Sequence, residues 1–387
     1  MVYVITILLI PFALEYLWTI INIWHIGKID KEEKDITRRA IYLISSVAES
    51  CPEQLINKMP NFISSQFQGE WALYSCSMTA FALANIGILY NKKDTMIKHI
   101  SSLIDIVLSP QIRRYDKVRW GEDPLDSLDG NNSHISYLSH LAWMIGKYKQ
   151  IGGDLRYDNL YHSVCATMNR RIIQSSCLNV PTYPGENIYI PDMLVAIVAL
   201  SDYAQLNNGK YKTTVDKWIY NARIKWIDKS TGLLVSFLSE DGYPIQGVKG
   251  SYSALNCYYL SLIDYGFAQE QYSLLKSNFK KSFPLKGIKE YCDKTSWYNW
   301  DIDAGPVIMN MSPSGTAFTI GCATSCNDLK FRKQLLTTAE IIGHTITWNK
   351  KSHYLLSRYF LVGEAIALAM RTTTPDAKGQ VHDIPIM

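Results

Sequence analysis

Beyond residue 30 the chain repeats one pattern: a helix with an apolar face, a link, then another helix. Apolar residues recur at spacings of three and four over 31–50, 70–91, 94–109, 132–149, 157–175 and 191–207. They do so again over 211–228, 251–266, 269–281, 313–326, 329–345 and 355–370. Breakers separate the runs: Pro60, Pro110, Gly152-Gly153, Asn207-Asn208-Gly209, Pro284 and Pro313. Only residues 228–248 read as something else, a short hairpin. Twelve helices make six helical hairpins, and the links between them alternate between short and long. In an up-and-down array alternate helices start at the same end, so the long links all fall on one face.

The two sets of links differ in chemistry. The short ones carry mostly Lys, Asn, Gly and Asp, a solvated composition. The long ones carry aromatics, carboxylates and glycines. Phe67-Gln-Gly-Glu-Trp71 is the first, and the stretch from Trp120 through Glu122, Asp123, Asp126 and Asp129 to His134 is the second. Asp301-Ile-Asp-Ala-Gly-Pro306 leads into Ser312-Pro-Ser-Gly-Thr316. Long links inside a compact domain usually carry function, so the asymmetry predicts a mouth and a base. Closed into a ring, six hairpins form an all-α (α/α)6 toroid, with Ala72–Leu89, Ile135–Tyr148, Met193–Leu206 and Ser253–Tyr265 among its inner helices. An open helical solenoid is the alternative; the lack of a repeated sequence period favours the ring.

The link Leu178–Asp192 is the richest. Its prolines at 181, 184 and 191 and Gly185 forbid a regular element, and Pro191 with Asp192 opens an apolar helix. Between them stand Tyr183, Glu186 and Tyr189. Two carboxylates and two phenols on a fixed loop at a helix mouth suit acid/base work. A surface loop whose Asp caps a helix is the plainer account. His134 beside several carboxylates is a second candidate for proton transfer. Asp129, His134, Glu186 and Asp192 are therefore the expected catalytic groups. Glu122, Tyr183, Tyr189, Tyr252, Asp301, Asp303, Trp71 and Trp120 are the expected substrate contacts.

Other chemistries are disfavoured. The acidic link lacks the Gly and terminal Glu of an EF-hand, no Gly-Lys-Ser/Thr follows the Gly-rich turns, and there is no G-x-S-x-G. No metal and no cofactor is expected. Eight cysteines include no CxxC, and most fall within apolar helices as buried thiols. Net charge is +4, with basic and acidic residues interspersed, so nucleic acid is not an expected partner.

Residues 1–27 are almost wholly apolar and long enough to span a bilayer, without a basic start or a small-residue cleavage site. They read as a membrane anchor, residues 28–372 as the toroid and 373–387 as a tail. An apolar helix packed on the domain or on a second subunit is the alternative. Lys28, Lys31, Lys34, Arg38 and Arg39 follow the anchor and place the main domain on the cytoplasmic side. Self-association is left open.

Three stretches resemble the linalool dehydratase/isomerase-like group of (α/α)6-toroid proteins. They are Asp129-Gly-Asn-Asn-Ser-His-Ile-Ser-Tyr-Leu-Ser-His-Leu141, the Tyr183-Pro-Gly-Glu loop ending in Pro-Asp192, and Asp303-Ala-Gly-Pro with Ser-Pro-Ser-Gly-Thr316. The resemblance covers roughly residues 65–370 and implies cofactor-free addition or removal of water, with His134 as a catalytic histidine. The active-site cysteine pair of that group is not matched; Tyr183 and Asp192 stand at those places. The leading expectation is a lyase or isomerase acting on a hydroxylated small molecule in a one-ended, aromatic-lined cleft. The first alternative is a carbohydrate-active hydrolase, polysaccharide lyase or epimerase acting on a glycan, since carboxylate pairs flanked by aromatics suit sugar rings. The second is a noncatalytic, membrane-anchored scaffold that keeps the ring and has lost the chemistry.

Overall fold

The computed structural model describes residues 2–245, 247–292 and 297–374, with side chains from residue 13 onward. Six helices form an inner ring: α4 (Ser65–Leu89), α7 (Ile135–Gln150), α9 (Ile190–Leu206), α11 (Gly250–Ser261), α13 (Pro313–Ser325) and α15 (Leu361–Arg371). Each packs on the next, and α15 packs back on α4, which closes the ring. Six outer helices alternate with them: α2 (Ile29–Leu43), α5 (Lys93–Val107), α8 (Asp158–Gln174), α10 (Lys212–Lys225), α12 (Tyr265–Phe279) and α14 (Leu329–Gly343). This is the (α/α)6 toroid that the alternation predicts, and the expected solenoid alternative does not form. The leading helix α1 (Val2–His25) lies outside it, and two short helices, α3 (Pro52–Asn57) and α6 (Pro110–Trp120), stand in the long links.

The inner helices are apolar on all sides because they are covered on all sides. In α9 every residue from Ile190 to Ala204 is buried. Truncating one leucine in such a layer typically costs about 2–5 kcal/mol. Helix α4 is long and apolar enough to cross a membrane, but 83% of its apolar stretch is buried inside the ring. That burial makes it a core helix.

The inner helices all begin at one end, and their starts carry matching signals. Pro191 and Pro313 occupy first-turn positions where a missing N–H costs nothing. Ser64 and Ser312 cap α4 and α13 by accepting from the backbone N–H of Phe67 and Gly315. Among the described residues, four two-stranded pieces decorate the molecule. They are β1 (Ile188–Tyr189) with β2 (Phe237–Leu238), and β3 (Lys280–Lys281) with β4 (Gly287–Ile288). The others are β5 (Tyr298–Asp301) with β6 (Gly305–Ile308), and β7 (Thr345–Trp348) with β8 (Lys351–Tyr354); all four pairs are antiparallel.

Three sequence expectations need correction. The helix expected over 355–370 begins only at Leu361, because β8 ends at Tyr354 and turns occupy the interval. The helix expected over 31–50 ends at Leu43 and continues as one wider turn over 44–48. The link between α5 and α7 is not irregular throughout: Ser109 caps α6 and Gly121, at φ 76°, ends it in the left-handed conformation. The expected tail lies almost wholly outside the described residues. Cys51, Cys76, Cys165, Cys177, Cys257, Cys322 and Cys326 are thiols outside any disulfide.

Candidate active site

The mouth of the ring gathers carboxylates from three separate elements. Glu70 comes from the first turns of α4, Asp192 from the first turn of α9, and Asp303 from the turn between β5 and β6. A helix N-terminus ordinarily favours an ionised carboxylate. Here burial and like charge win. Burial comes first in pushing Glu70 up to about 8, followed by repulsion from Asp192 and then Asp303; the bond from Tyr183 opposes it. Asp192 is almost fully buried and is raised to about 6 by that burial, with Asp303 and Glu186 adding repulsion. Asp303 is raised too, chiefly by desolvation, against a bond from Tyr252.

Hydroxyls hold these groups in place. Tyr74 donates to Asp192 Oδ1 at 2.9 Å, and Thr182 donates to Oδ2 at 2.8 Å. Tyr183 donates to Glu70 Oε2 at 3.2 Å, and Tyr252 donates to Asp303 Oδ2 at 2.6 Å. No Lys or Arg hydrogen-bonds Glu70, Asp192 or Asp303 among the described residues. Arg119 pairs with Glu186, bonds Gln66 at 3.0 Å and lies 4.5 Å from the Tyr183 ring. The ammonium of Lys249 is bonded to Asp301 at 2.7 Å.

Aromatic rings flank the carboxyls. The β1–β2 pairing sets Tyr189 opposite Phe237, with ring centres 5.1 Å apart. Tyr252 stands edge-on to both, at 5.5 Å from Tyr189 and 5.7 Å from Phe237. Beneath, the His140 ring lies 4.2 Å from Tyr74 and bonds Ser77 at 2.6 Å. Burial lowers His140 to about 3, which keeps it neutral.

The expected site residues therefore divide. Asp192, Tyr183, Tyr189, Tyr252 and Asp303 come together at the mouth, with Glu186 beside them through Arg119. Asp301 holds the β5–β6 turn, accepting from the backbone N–H of Asp303 and Ala304 and from Lys249. His134, at the start of α7, belongs to a second cluster built with α6 and the link that follows it. Its ring is fully buried, bonded to Asp116 through Nδ1 and 3.3 Å from Glu122 through Nε2. Trp120 packs on it at 5.3 Å. Asn132 donates to Glu122 at 2.9 Å. Asp129 is exposed on the outer part of that link, within electrostatic reach of Arg171 rather than of the mouth. Trp71 points from α4 onto the core.

Two residues at the centre escape the sequence reading, Glu70 and Tyr74. Glu70 stands just before the apolar run of its helix as Asp192 does, and that parallel is the signal that would have found it. Tyr74 follows one turn later, so both face the mouth. Gly69 beside them admits α6: a Cβ there would come within 2.7 Å of the Tyr115 side chain. Among the described residues no cluster of His, Cys, Asp and Glu is arranged to hold a metal ion.

A proton donor and a proton acceptor within electrostatic reach of each other, with aromatic rings beside them, can perform general acid/base chemistry. No protein-family model and no curated protein matches the chain at the level of sequence. Among solved structures it is similar to an unsaturated glucuronyl hydrolase specific for heparin, with a TM-score of 0.57 and 12% identity over 89% of this chain and 97% of that one. A family 105 glycoside hydrolase from C. acetobutylicum ATCC 824 aligns at a TM-score of 0.46 and 11% identity, over 77% of this chain and 93% of that one. At such identity the first likeness is one of fold.

Proposed function

We propose that the chain is a carbohydrate-active enzyme in which Glu70 is the general acid and Asp192 the general base. One observation carries this reading. Two neighbouring carboxyls lack cationic partners and lie on opposite sides of neutrality, Glu70 at about 8 and Asp192 at about 6. At pH 7 Glu70 holds a proton and Asp192 does not. Hydrolysis then follows without a cofactor. Asp192 takes a proton from water, the water oxygen bonds to the sugar carbon, the glycosidic C–O bond breaks, and Glu70 protonates the departing oxygen. Tyr74 and Thr182 aim the base. Asp303 and Tyr252 bind sugar hydroxyls, and Tyr189 with Phe237 stacks on the ring face. The fold likeness to an unsaturated glucuronyl hydrolase specific for heparin favours a glycan substrate.

The test is turnover of a panel of saturated and unsaturated glycosides in water enriched in oxygen-18, with Glu70→Gln beside the parent chain. One heavy oxygen in the product and loss of turnover in the variant support hydrolysis. Turnover that survives Glu70→Gln sinks the assignment of the acid.

The same pair supports a second reading, the loss of water or the isomerisation of a hydroxylated substrate that the resemblance to the linalool dehydratase/isomerase-like group implies. Glu70 would protonate the leaving hydroxyl and Asp192 would take the neighbouring proton. Its signature in the same panel is a product lighter by one water, or of unchanged mass, with no heavy oxygen gained. His134 would then act indirectly, because Asp116 and Trp120 enclose it.

We also propose that α1 anchors the chain in a membrane with the ring on the cytoplasmic side. Leu14, Tyr16 and Leu17 are exposed on this apolar helix, and Lys28, Lys31, Lys34 and Arg38 follow it. Retention in the membrane fraction through alkaline washing, with the ring open to protease only on the cytoplasmic face, is the expected outcome. Release by alkali would overturn it.

A further inference from the structure

We infer that the mouth of the ring faces the bilayer, so that the site takes an amphiphilic or lipid-linked glycan from the membrane side. This rests on the anchoring of α1 proposed above.

The direction of α1 comes from its contacts. Trp18 donates to the carbonyl of Thr345 at 2.9 Å, and Asn22 donates to Glu340 at 2.9 Å. Beyond the bend between α1 and α2, Glu32 of α2 meets Arg332 near the start of α14 at 2.5 Å. Helix α1 therefore descends beside α14 from its last residues toward its first. Outer helices end at the mouth, so α1 comes down from the mouth side. Residues 2–17 continue past Thr345 in the other direction, a helical length of about 24 Å. Leu14 and Leu17 there are 61% and 53% exposed.

The rim on the same side is aromatic. Trp300 of β5 packs edge-on against Phe62 at 5.6 Å, and Phe62 also touches Phe360 at 6.4 Å. Around this cluster Trp297, Leu356 and Tyr359 are exposed. These residues belong to the links that open at the mouth, and the β5–β6 turn carries Asp303 itself. Tryptophan and tyrosine settle at the headgroup level of a bilayer, and an apolar patch of this kind marks an interaction surface. Among the described residues the short links at the opposite end carry no exposed tryptophan or phenylalanine: they read Asn91-Lys92-Lys93, Gly152-Gly153-Asp154, Asn207-Asn208-Gly209-Lys210, Leu262-Ile263-Asp264 and Asn327-Asp328, with Leu89, Leu155 and Leu329 among the exposed apolar residues beside them. An anchor rising beyond the rim and an aromatic rim around the site together select a lipid surface as the occupant.

The experiment uses the full chain in liposomes of phosphatidylcholine and phosphatidylglycerol. A photoreactive p-benzoylphenylalanine replaces Tyr359 at the rim or Leu155 at the base, both exposed. Flotation reports anchoring, and mass spectrometry after irradiation reports lipid adducts. The expected result is flotation of both variants, with about tenfold more lipid adduct at position 359 than at 155. Flotation with equal adducts, or none, overturns the facing of the mouth and leaves the anchor intact. Flotation with protein–protein adducts at 359 also overturns it, by making the rim a contact between copies. Failure to float removes the anchor, and this inference with it.

Discussion

The mouth and the seam where the chain's two ends meet use the same residue types to opposite effect. At the seam, Arg39 of α2 is fully buried and bonds Asp35 at 3.0 Å and Glu364 of α15 at 2.7 Å. Arg371 bonds Asp35 at 2.6 Å. Burial alone would raise Asp35, but Arg39 and then Arg371 hold it well below the usual carboxylate range. At the mouth, Glu70 and Asp192 are partnered only by hydroxyls, and both are raised. A carboxylate given a guanidinium is fixed as a charge and serves the fold. One given a phenol keeps its proton negotiable, which is what proton transfer requires.

The largest effect that would test this contrast is on turnover. Glu70→Gln and Asp192→Asn should each lower kcat by about 10²–10⁴-fold while leaving the circular dichroism spectrum unchanged. At the seam the expectation inverts. Arg39→Ala leaves Glu364 buried without its cation and should cost about 3–5 kcal/mol in urea unfolding, with kcat per folded molecule unchanged. Turnover should trace a bell in pH. It should rise through about 6 as Asp192 loses its proton and fall through about 8 as Glu70 loses its own. These are apparent values of a coupled pair, read from kcat/KM.

A smaller effect concerns stability. The folded Glu70 binds its proton more tightly than the unfolded chain does, so between its unfolded value, near 4.3, and about 8 the native state loses stability as pH rises. Glu70→Gln removes that loss. The variant should be more stable than the parent by about 2 kcal/mol at pH 7.5, allowing for partial solvation, and no more stable below pH 4.5. Equal stability of the two at all pH values would contradict the raised value. Asp35 behaves in the opposite sense: its contribution is present above about pH 4 and fades below it. The smallest effect belongs to Tyr74→Phe. Losing its bond to the Asp192 carboxylate should move the acidic limb of the bell upward by less than about one unit.

The ring was legible because burial writes itself into helix composition and link length. Helices covered on both sides must be apolar throughout, and links that build a site must be long. Asp192 and Tyr183 were legible for a related reason, since proline fixes the loop that carries them. What pattern reading missed was distance across the ring. Glu70 stands 122 residues before Asp192 in sequence, and only the curl of α4, α7 and α9 brings them together. The same limit hides the partner of His134. The histidine's local sequence matches that of a proton-transfer residue, but Asp116 from the unrecognised α6 takes its Nδ1. Helix α6 was missed because Pro110 reads as a breaker, whereas it occupies the first turn of that helix after the Ser109 cap.

The seam sets a timetable for synthesis. Arg39 and Glu364 are 325 residues apart in sequence. At a synthesis rate of about 5–20 residues per second, α2 waits roughly 15–65 s before its partner emerges from the ribosome. During that interval Arg39 has Asp35 one turn away on its own helix as an interim partner. The last inner helix to be made is thus the one that locks the first, and a nascent chain stalled before α15 would carry an open arc instead of a ring.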